Sequence, residues 1–155
     1  MKIATLGVIT EGDQVLLGEK KKGEIGTGTV CGPGGKQDPG ETLEECLIRE
    51  TREELEIELD PASPDLVAKI DFYTGSEIDF RVYVYRARIL SGKIHETADM
   101  IPAWYQFASL PFDRTYEADR HWLPKVLAGE RFNANVYYRE RAKVLDHIDF
   151  LAFDP

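Results

Sequence analysis

The stretch Gly35–Ile57, GKQDPGETLEECLIRETREELEI, decides how this chain is read. Pro39 and Gly40 break the chain just before it turns helical, and from Thr42 onward Leu43, Leu47, Ile48 and Leu55 recur as a drifting apolar stripe. The spacing predicts an amphipathic helix closed by Asp60-Pro61 and Ser63-Pro64. Glu50, Glu53 and Glu54 stand at i, i+3 and i+4, within an arc of about 100°. Like charges stacked this way cost a few tenths of a kcal/mol per pair in an isolated helix. A divalent cation reverses the sign of that cost, and hard oxygen ligands suit Mg²⁺ or Mn²⁺. Arg49, four residues before Glu53, can brace the acids. Glu41 lies at the helix start, where the macrodipole favours its charge. On spacing alone, a solvated acidic surface helix remains an equal reading.

Charge is concentrated in the same place. Asp38–Asp60 holds ten carboxylates against Arg49 and Arg52, a net of −8 within a chain of −9. The rest has 18 acids and 17 bases. With no broad basic face, a nucleic-acid polymer or an anionic membrane is a poor partner. At 155 residues and 43% hydrophobic composition the chain is expected to form one mixed α/β domain over 1–155 with a real core. No run approaches the ~20 apolar residues needed to span a bilayer. The start, MKIATLGVITEGDQ, alternates like a strand and has no export-like apolar region. Cys31 and Cys46 are read as reduced thiols, which with the missing export signal makes a cytoplasmic location the expectation.

Outward from the helix, Ile3–Thr10 and Val15–Gly18 read as a hairpin, and 20–35 as a glycine-rich loop with a basic front. Strands are expected at Leu66–Tyr73, Asp79–Ile89, around Ala103–Phe107 and last at Arg131–Arg139. A second helix is expected over Ala118–Ala128, kinked or starting late because of Pro124. His95, His121 and His147 share no ligand spacing. Trp104 and Cys46 read as packing residues, and no P-loop or dinucleotide fingerprint is present.

The pattern Gly35-x5-Glu41-x7-Arg49-Glu50-Thr51-x-Glu53-Glu54-x-Glu56-Ile57 resembles the Nudix box of the MutT/Nudix hydrolase superfamily. The resemblance implies the Nudix fold, a mixed β-sheet sandwiched between α-helices. It implies Glu50, Glu53, Glu54 and the Gly35 carbonyl as ligands of Mg²⁺ (or Mn²⁺), with Arg49 orienting the acids. It also implies hydrolysis of a nucleoside diphosphate linked to a further group, Glu53 and Glu54 being catalytic. Two positions depart: Thr51 replaces an aliphatic residue, and Glu56 replaces the glycine that normally caps the helix.

Outside the box the chain is similar to the animal-type 8-oxo-dGTP diphosphatases, through VLLGEKKKG (15–23), GPGGKQDPGE (32–41), DMIPAWYQFASLPF (99–112), YEADRHWLP (116–124) and the Phe132–Tyr138 strand. This likeness implies a small-molecule nucleotide substrate, with Thr5, Lys20, Cys31 and Phe72 on one side of the base. Tyr116, Ala118, Asp119 and Trp122 would stand on the other, and Asp99 near the metals to assist the attacking water. Ala118 stands for one of two aspartates, Cys31 for an asparagine and Tyr116 for a tryptophan. Those exchanges leave open a different diphosphate substrate, and a nucleotide-sensing module without activity is the alternative of another class.

Overall fold

The computed structural model describes residues 1–23 and 26–155. Helix α1, Leu43–Leu55, begins at Thr42 through a capping box. The Glu45 N–H donates to Thr42 Oγ1 and the Thr42 N–H to Glu45 Oε1, each at 3.1 Å. Its stripe is buried as the periodicity requires: Leu47 and Leu55 fully, Leu43 and Ile48 in part.

Glu56 closes α1 in the left-handed conformation that a glycine would adopt, with φ 56° and ψ 37°, and its N–H donates to the Arg52 carbonyl at 2.9 Å. The helix therefore ends where the glycine would end it, and the departure is met by backbone strain. Thr51 carries the other cost. It is 0% exposed, and its hydroxyl has no partner among the described residues.

Among the described residues, nine strands form one sheet. Its main path comprises β1 (Lys2–Glu11), β2 (Gln14–Lys20), β3 (Val30–Cys31), β6 (Asp65–Thr74), β7 (Glu77–Ala87), β10 (Phe132–Glu140) and β11 (Val144–Leu151), in the order β11-β10-β6-β7-β1-β2-β3. Strand β4 (Gly34–Lys36) adds to β1, and β9 (Met100–Gln106) to β2. The β1–β7 and β10–β6 pairs are parallel and the others antiparallel. A separate ladder pairs β5 (Glu58–Leu59) with β8 (Ile89–Ser91).

Both faces of the sheet are covered, so neighbouring residues feed different cores. Val8, Val15, Leu17 and Val84 pack with Trp122, Leu123 and Val126 of α2 (Asp119–Leu127). Ile9, Leu16 and Tyr85 pack with Leu47 and Leu55 of α1. Trp104 is half-buried against this second core. Helix α2 starts one residue later than expected and tolerates Pro124. Three expectations need correction. Arg131–Arg139 is not the last strand, because β11 follows it. The 20–35 segment contains β3 and the start of β4, and Asp79–Ile89 ends at Ala87 before β8.

Two substitutions on α1 test these costs. Thr51→Val keeps the shape and removes an unbonded hydroxyl, and is expected to raise unfolding stability in urea by about 1–2 kcal/mol. Glu56→Gly relieves the left-handed strain at some cost in unfolded-chain entropy, for an expected net gain of about 1 kcal/mol.

Candidate active site

The site begins at a backbone contact that only glycine allows. Strand β4 sets Gly35 opposite Thr5 of β1 and against α1. A Cβ on Gly35 would lie 2.4 Å from Glu50 Cδ and 2.6–2.7 Å from its oxygens. Without that atom the Glu50 carboxylate rests against the strand. One residue earlier, the Gly34 N–H donates to Glu54 Oε1 at 2.8 Å. The loop thus grips two of the acids of α1.

Arg49 gathers the rest. Its guanidinium donates to both oxygens of Glu41 (2.7 and 2.9 Å), to Glu50 Oε1 (2.9 Å), to Glu53 Oε2 (3.3 Å) and to the Lys36 carbonyl (3.1 Å). The hydrogen bonds from Arg49 hold the Glu41 carboxyl down at about 2. Glu50 goes the other way, pushed up by burial against the pull of Arg49. Burial pushes Glu54 up to about 7, opposed by the Gly34 N–H and reinforced by Glu50 and Asp99. Glu53 has a side chain 55% exposed.

Among the described residues, no three His, Cys, Asp or Glu side chains stand close enough to share one ion. Glu50 and Glu53 are turned onto Arg49. The donor set is nevertheless the chemistry of a hard divalent cation, all carboxylate and carbonyl oxygen. Asp99 precedes β9, its side chain 25% exposed and ion-paired with Lys22 at 2.8 Å.

A cavity of about 460 Å³ opens beside these acids. Gly35, Glu50 and Glu54 line it together with Thr5, Lys20, Cys31, Phe72, Tyr116, Asp119 and Trp122. Residues from β1, β2, β3, β6 and α2 therefore meet where the resemblance groups them. Glu53, Arg49 and Asp99 are not among its lining residues. Neither is Ala118. It is fully buried in the core on the α2 side of the sheet, with its N–H donated to Tyr138 Oη at 3.1 Å.

The pocket's polar groups are shaped by burial. Asp119 Oδ1 accepts from Trp122 Nε1 at 3.0 Å, yet burial pushes the carboxyl from its ordinary 3.8 to about 7. Burial also pushes the Cys31 thiol up to about 12, so it remains a neutral SH group. Thr5 Oγ1 lies 3.4 Å from Cys46 Sγ, whose thiol also donates to the Gly35 carbonyl at 3.5 Å. Cys46 links Thr5 of β1 to Gly35 of β4 beside the acids, beyond the packing role read from sequence.

Phe80, Asp79, Tyr138 and Arg141 also line the cavity and were not singled out from sequence. The register pairs Phe80 with Phe72 across β6 and β7. Lys2 Nζ and the Arg141 guanidinium stand 5.4 and 5.5 Å from the Phe80 ring centre. Local spacing in Asp79–Ile89 gives Phe80 no partner, whereas the cross-strand register places it beside Phe72 at the cavity wall.

A family model described as NUDIX domain matches residues 1–126, which include β4, α1 and all of the cavity's lining residues but Tyr138, Arg141 and Ala142. The chain belongs to the Nudix family. It is a Nudix hydrolase, acting on pyrophosphate bonds, with the mixed-sheet Nudix fold. This Nudix chain is 31% identical over 146 residues to an oxidized purine nucleoside triphosphate hydrolase of Danio rerio, covering 94% of this chain and 92% of that one. It is 31% identical over 147 residues to the Mus musculus protein of the same description, with the same coverage. A MutT protein from Bacillus halodurans superposes with a TM-score of 0.79 at 22% identity, over 97% of each chain, a likeness of fold.

Asp119 gives a pH test. Between about pH 4 and 7 the folded protein keeps a proton that unfolded Asp119 has released, so stability falls as pH rises through that window. Asp119→Asn removes this loss. Followed by urea unfolding, the variant is expected to gain about 2–4 kcal/mol on the parent from pH 4 to pH 7. Parallel stability curves would mean that burial does not penalise the carboxylate.

Proposed function

We propose that this Nudix hydrolase is a divalent-metal-dependent nucleoside triphosphate pyrophosphohydrolase, converting 8-oxo-dGTP to 8-oxo-dGMP and pyrophosphate. The observation that carries the reading is the single cavity in which Glu50 and Glu54 stand with Phe72, Tyr116, Asp119 and Trp122. One side supplies acids for a metal-bridged phosphate chain, the other aromatic surface and a hydrogen-bonding acid for a purine. The Danio rerio and Mus musculus relatives, oxidized purine nucleoside triphosphate hydrolases, support the same substrate class.

Glu50, Glu53, Glu54 and the Gly35 carbonyl would hold the cation, Mg²⁺ in this proposal with Mn²⁺ as a substitute. When bound, it neutralises phosphate oxygens and makes a coordinated water more acidic. Arg49 keeps the acids in place by charge-assisted hydrogen bonds. Lys20, at the cavity wall, would stand beside the base with Thr5, Cys31 and Phe72. Asp99 would accept a proton from the attacking water. Asp119 reads the base: protonated it donates a hydrogen bond to a purine acceptor, ionised it accepts from a ring N–H. In this reading residues 1–155 act as one domain. The free thiols Cys31 and Cys46 support a reducing, cytoplasmic setting.

A second reading has a specific observation in its favour. Where the resemblance implies an asparagine, Cys31 presents a neutral thiol, a weak hydrogen-bonding group. A site with fewer base-reading groups discriminates less, which favours another modified purine triphosphate or another nucleoside diphosphate derivative.

A nucleotide panel tests the proposal: 8-oxo-dGTP, dGTP, dATP, an oxidised adenine triphosphate and a nucleotide sugar, each with Mg²⁺ and scored for pyrophosphate against phosphate release. The highest kcat/KM is expected for 8-oxo-dGTP, with pyrophosphate released and activity lost in a chelator. Preference for the sugar nucleotide would establish the second reading, and tight binding without turnover a sensor. Glu54→Gln can still accept the Gly34 hydrogen bond. It is expected to keep the fold and lower kcat by at least about a hundredfold; near-parent activity would remove Glu54 from the mechanism.

A further inference from the structure

The loop carrying Asp99 is fastened to α1 by a side chain outside the Nudix box. Thr97 is buried. Its hydroxyl donates to the Glu54 carbonyl at 2.5 Å and accepts from the N–H groups of Asp99 at 3.2 Å and Met100 at 3.1 Å. A hydroxyl offers one donor and two acceptor lone pairs, so its capacity is filled. The Thr97 N–H donates to the Met100 carbonyl at 2.9 Å, and the Thr97 carbonyl accepts from Lys21 Nζ at 3.0 Å. The Lys21 N–H donates to the Asp99 carbonyl at 2.9 Å.

The Glu54 carbonyl belongs to the last turn of α1, where the helix has run out of donors. One oxygen atom therefore bridges the main chain of Glu54 and the main chain of Asp99. The side chains of these two residues come from elements 45 positions apart, and nothing in the helix itself fixes their separation. We propose that Thr97 is a positioning residue for the hydrolysis, holding Asp99 at a fixed place relative to Glu54 so that both acids serve the same attacking water. This rests on the role given to Asp99 above. Serine keeps the bridge. Valine keeps the shape and leaves a carbonyl and two N–H groups without it.

The test uses the full chain with Thr97→Val, Thr97→Ser, Asp99→Asn and the Thr97→Val/Asp99→Asn double variant. Amide hydrogen exchange reads the bridge without substrate: protection at Asp99 and Met100 is expected to fall in Thr97→Val and to persist in Thr97→Ser. Pyrophosphate release from 8-oxo-dGTP with Mg²⁺ reads its consequence. Thr97→Val is expected to lose about tenfold or more in kcat with KM within about twofold, and Thr97→Ser to stay within about threefold of the parent. The double variant is expected within about twofold of Asp99→Asn alone, because two changes acting through one group do not add. Additive losses, a Thr97→Ser as impaired as Thr97→Val, or unchanged protection in Thr97→Val would overturn the proposal. An unimpaired Asp99→Asn would instead overturn the role of Asp99 on which it rests, and with it the kinetic claim, while the exchange data would still report the bridge.

Discussion

The acidic face of α1 exists because one guanidinium organises it. Arg49 reaches Glu41, Glu50 and Glu53 and also bonds the Lys36 carbonyl, so it joins the helix to the strand and loop that precede it. Arginine suits this place because its planar fork offers five donors that stay charged. Lysine could not bond Glu41 through both oxygens while also holding Glu50 and the strand. Remove the guanidinium, and the stacked acids face repulsion with no fixed partner.

That bracing has geometric value only because β4 lies so close. Gly35 brings the Glu50 carboxylate against the strand, and the Gly34 N–H takes hold of Glu54. Register then links this corner to the pocket. Strand β4 lies beside β1 with Thr5 opposite Gly35, and β1 lies beside β7. Acids presented by a helix and aromatics presented by strands thus share one cavity through the sheet between them. The sheet's two covered faces leave this cavity as a break in the packing around Thr5, Phe72 and Trp122.

How much of this was legible follows the range of each interaction. Helix α1, its stripe and the Glu50/Glu53/Glu54 arc are written in spacings of three and four residues, and the structure has them as read. The pocket residues carried over from the similar diphosphatases also meet, save Ala118, whose neighbour Asp119 faces the cavity while Ala118 turns into the core. That choice depends on where α2 starts, and cap positions are poorly marked when no side chain caps the helix. Strands β3, β4, β5 and β8 span only two or three residues, too short for alternation to register. Strand β11 alternates weakly because much of it is exposed at the sheet edge. The pairing of Phe80 with Phe72 is a cross-strand fact that local spacing does not carry. Thr97 had no signal, since a lone threonine in a loop is unremarkable until its three partners are known.

Burial acts in the same direction on two acids of the cavity, with different consequences. Glu54 and Asp119 are both pushed up to about 7, and the Cys31 thiol lies within electrostatic reach of both. A buried carboxylate is costly until something compensates it. Beside Glu54 stand Glu50 and the Gly35 strand, so a cation is the natural compensation there. Around Asp119 stand Trp122 and Tyr116, aromatic surface with hydrogen bonds to the carboxyl already made, so a neutral polar ligand with its own N–H or carbonyl fits better. A nucleotide carrying a metal-bridged phosphate chain satisfies both at once. Neither free phosphate nor free base could do so. On the proposed reading, recognition arises from two buried acids held in one cavity, and preference among purines would turn on how Asp119 shares its proton with the base.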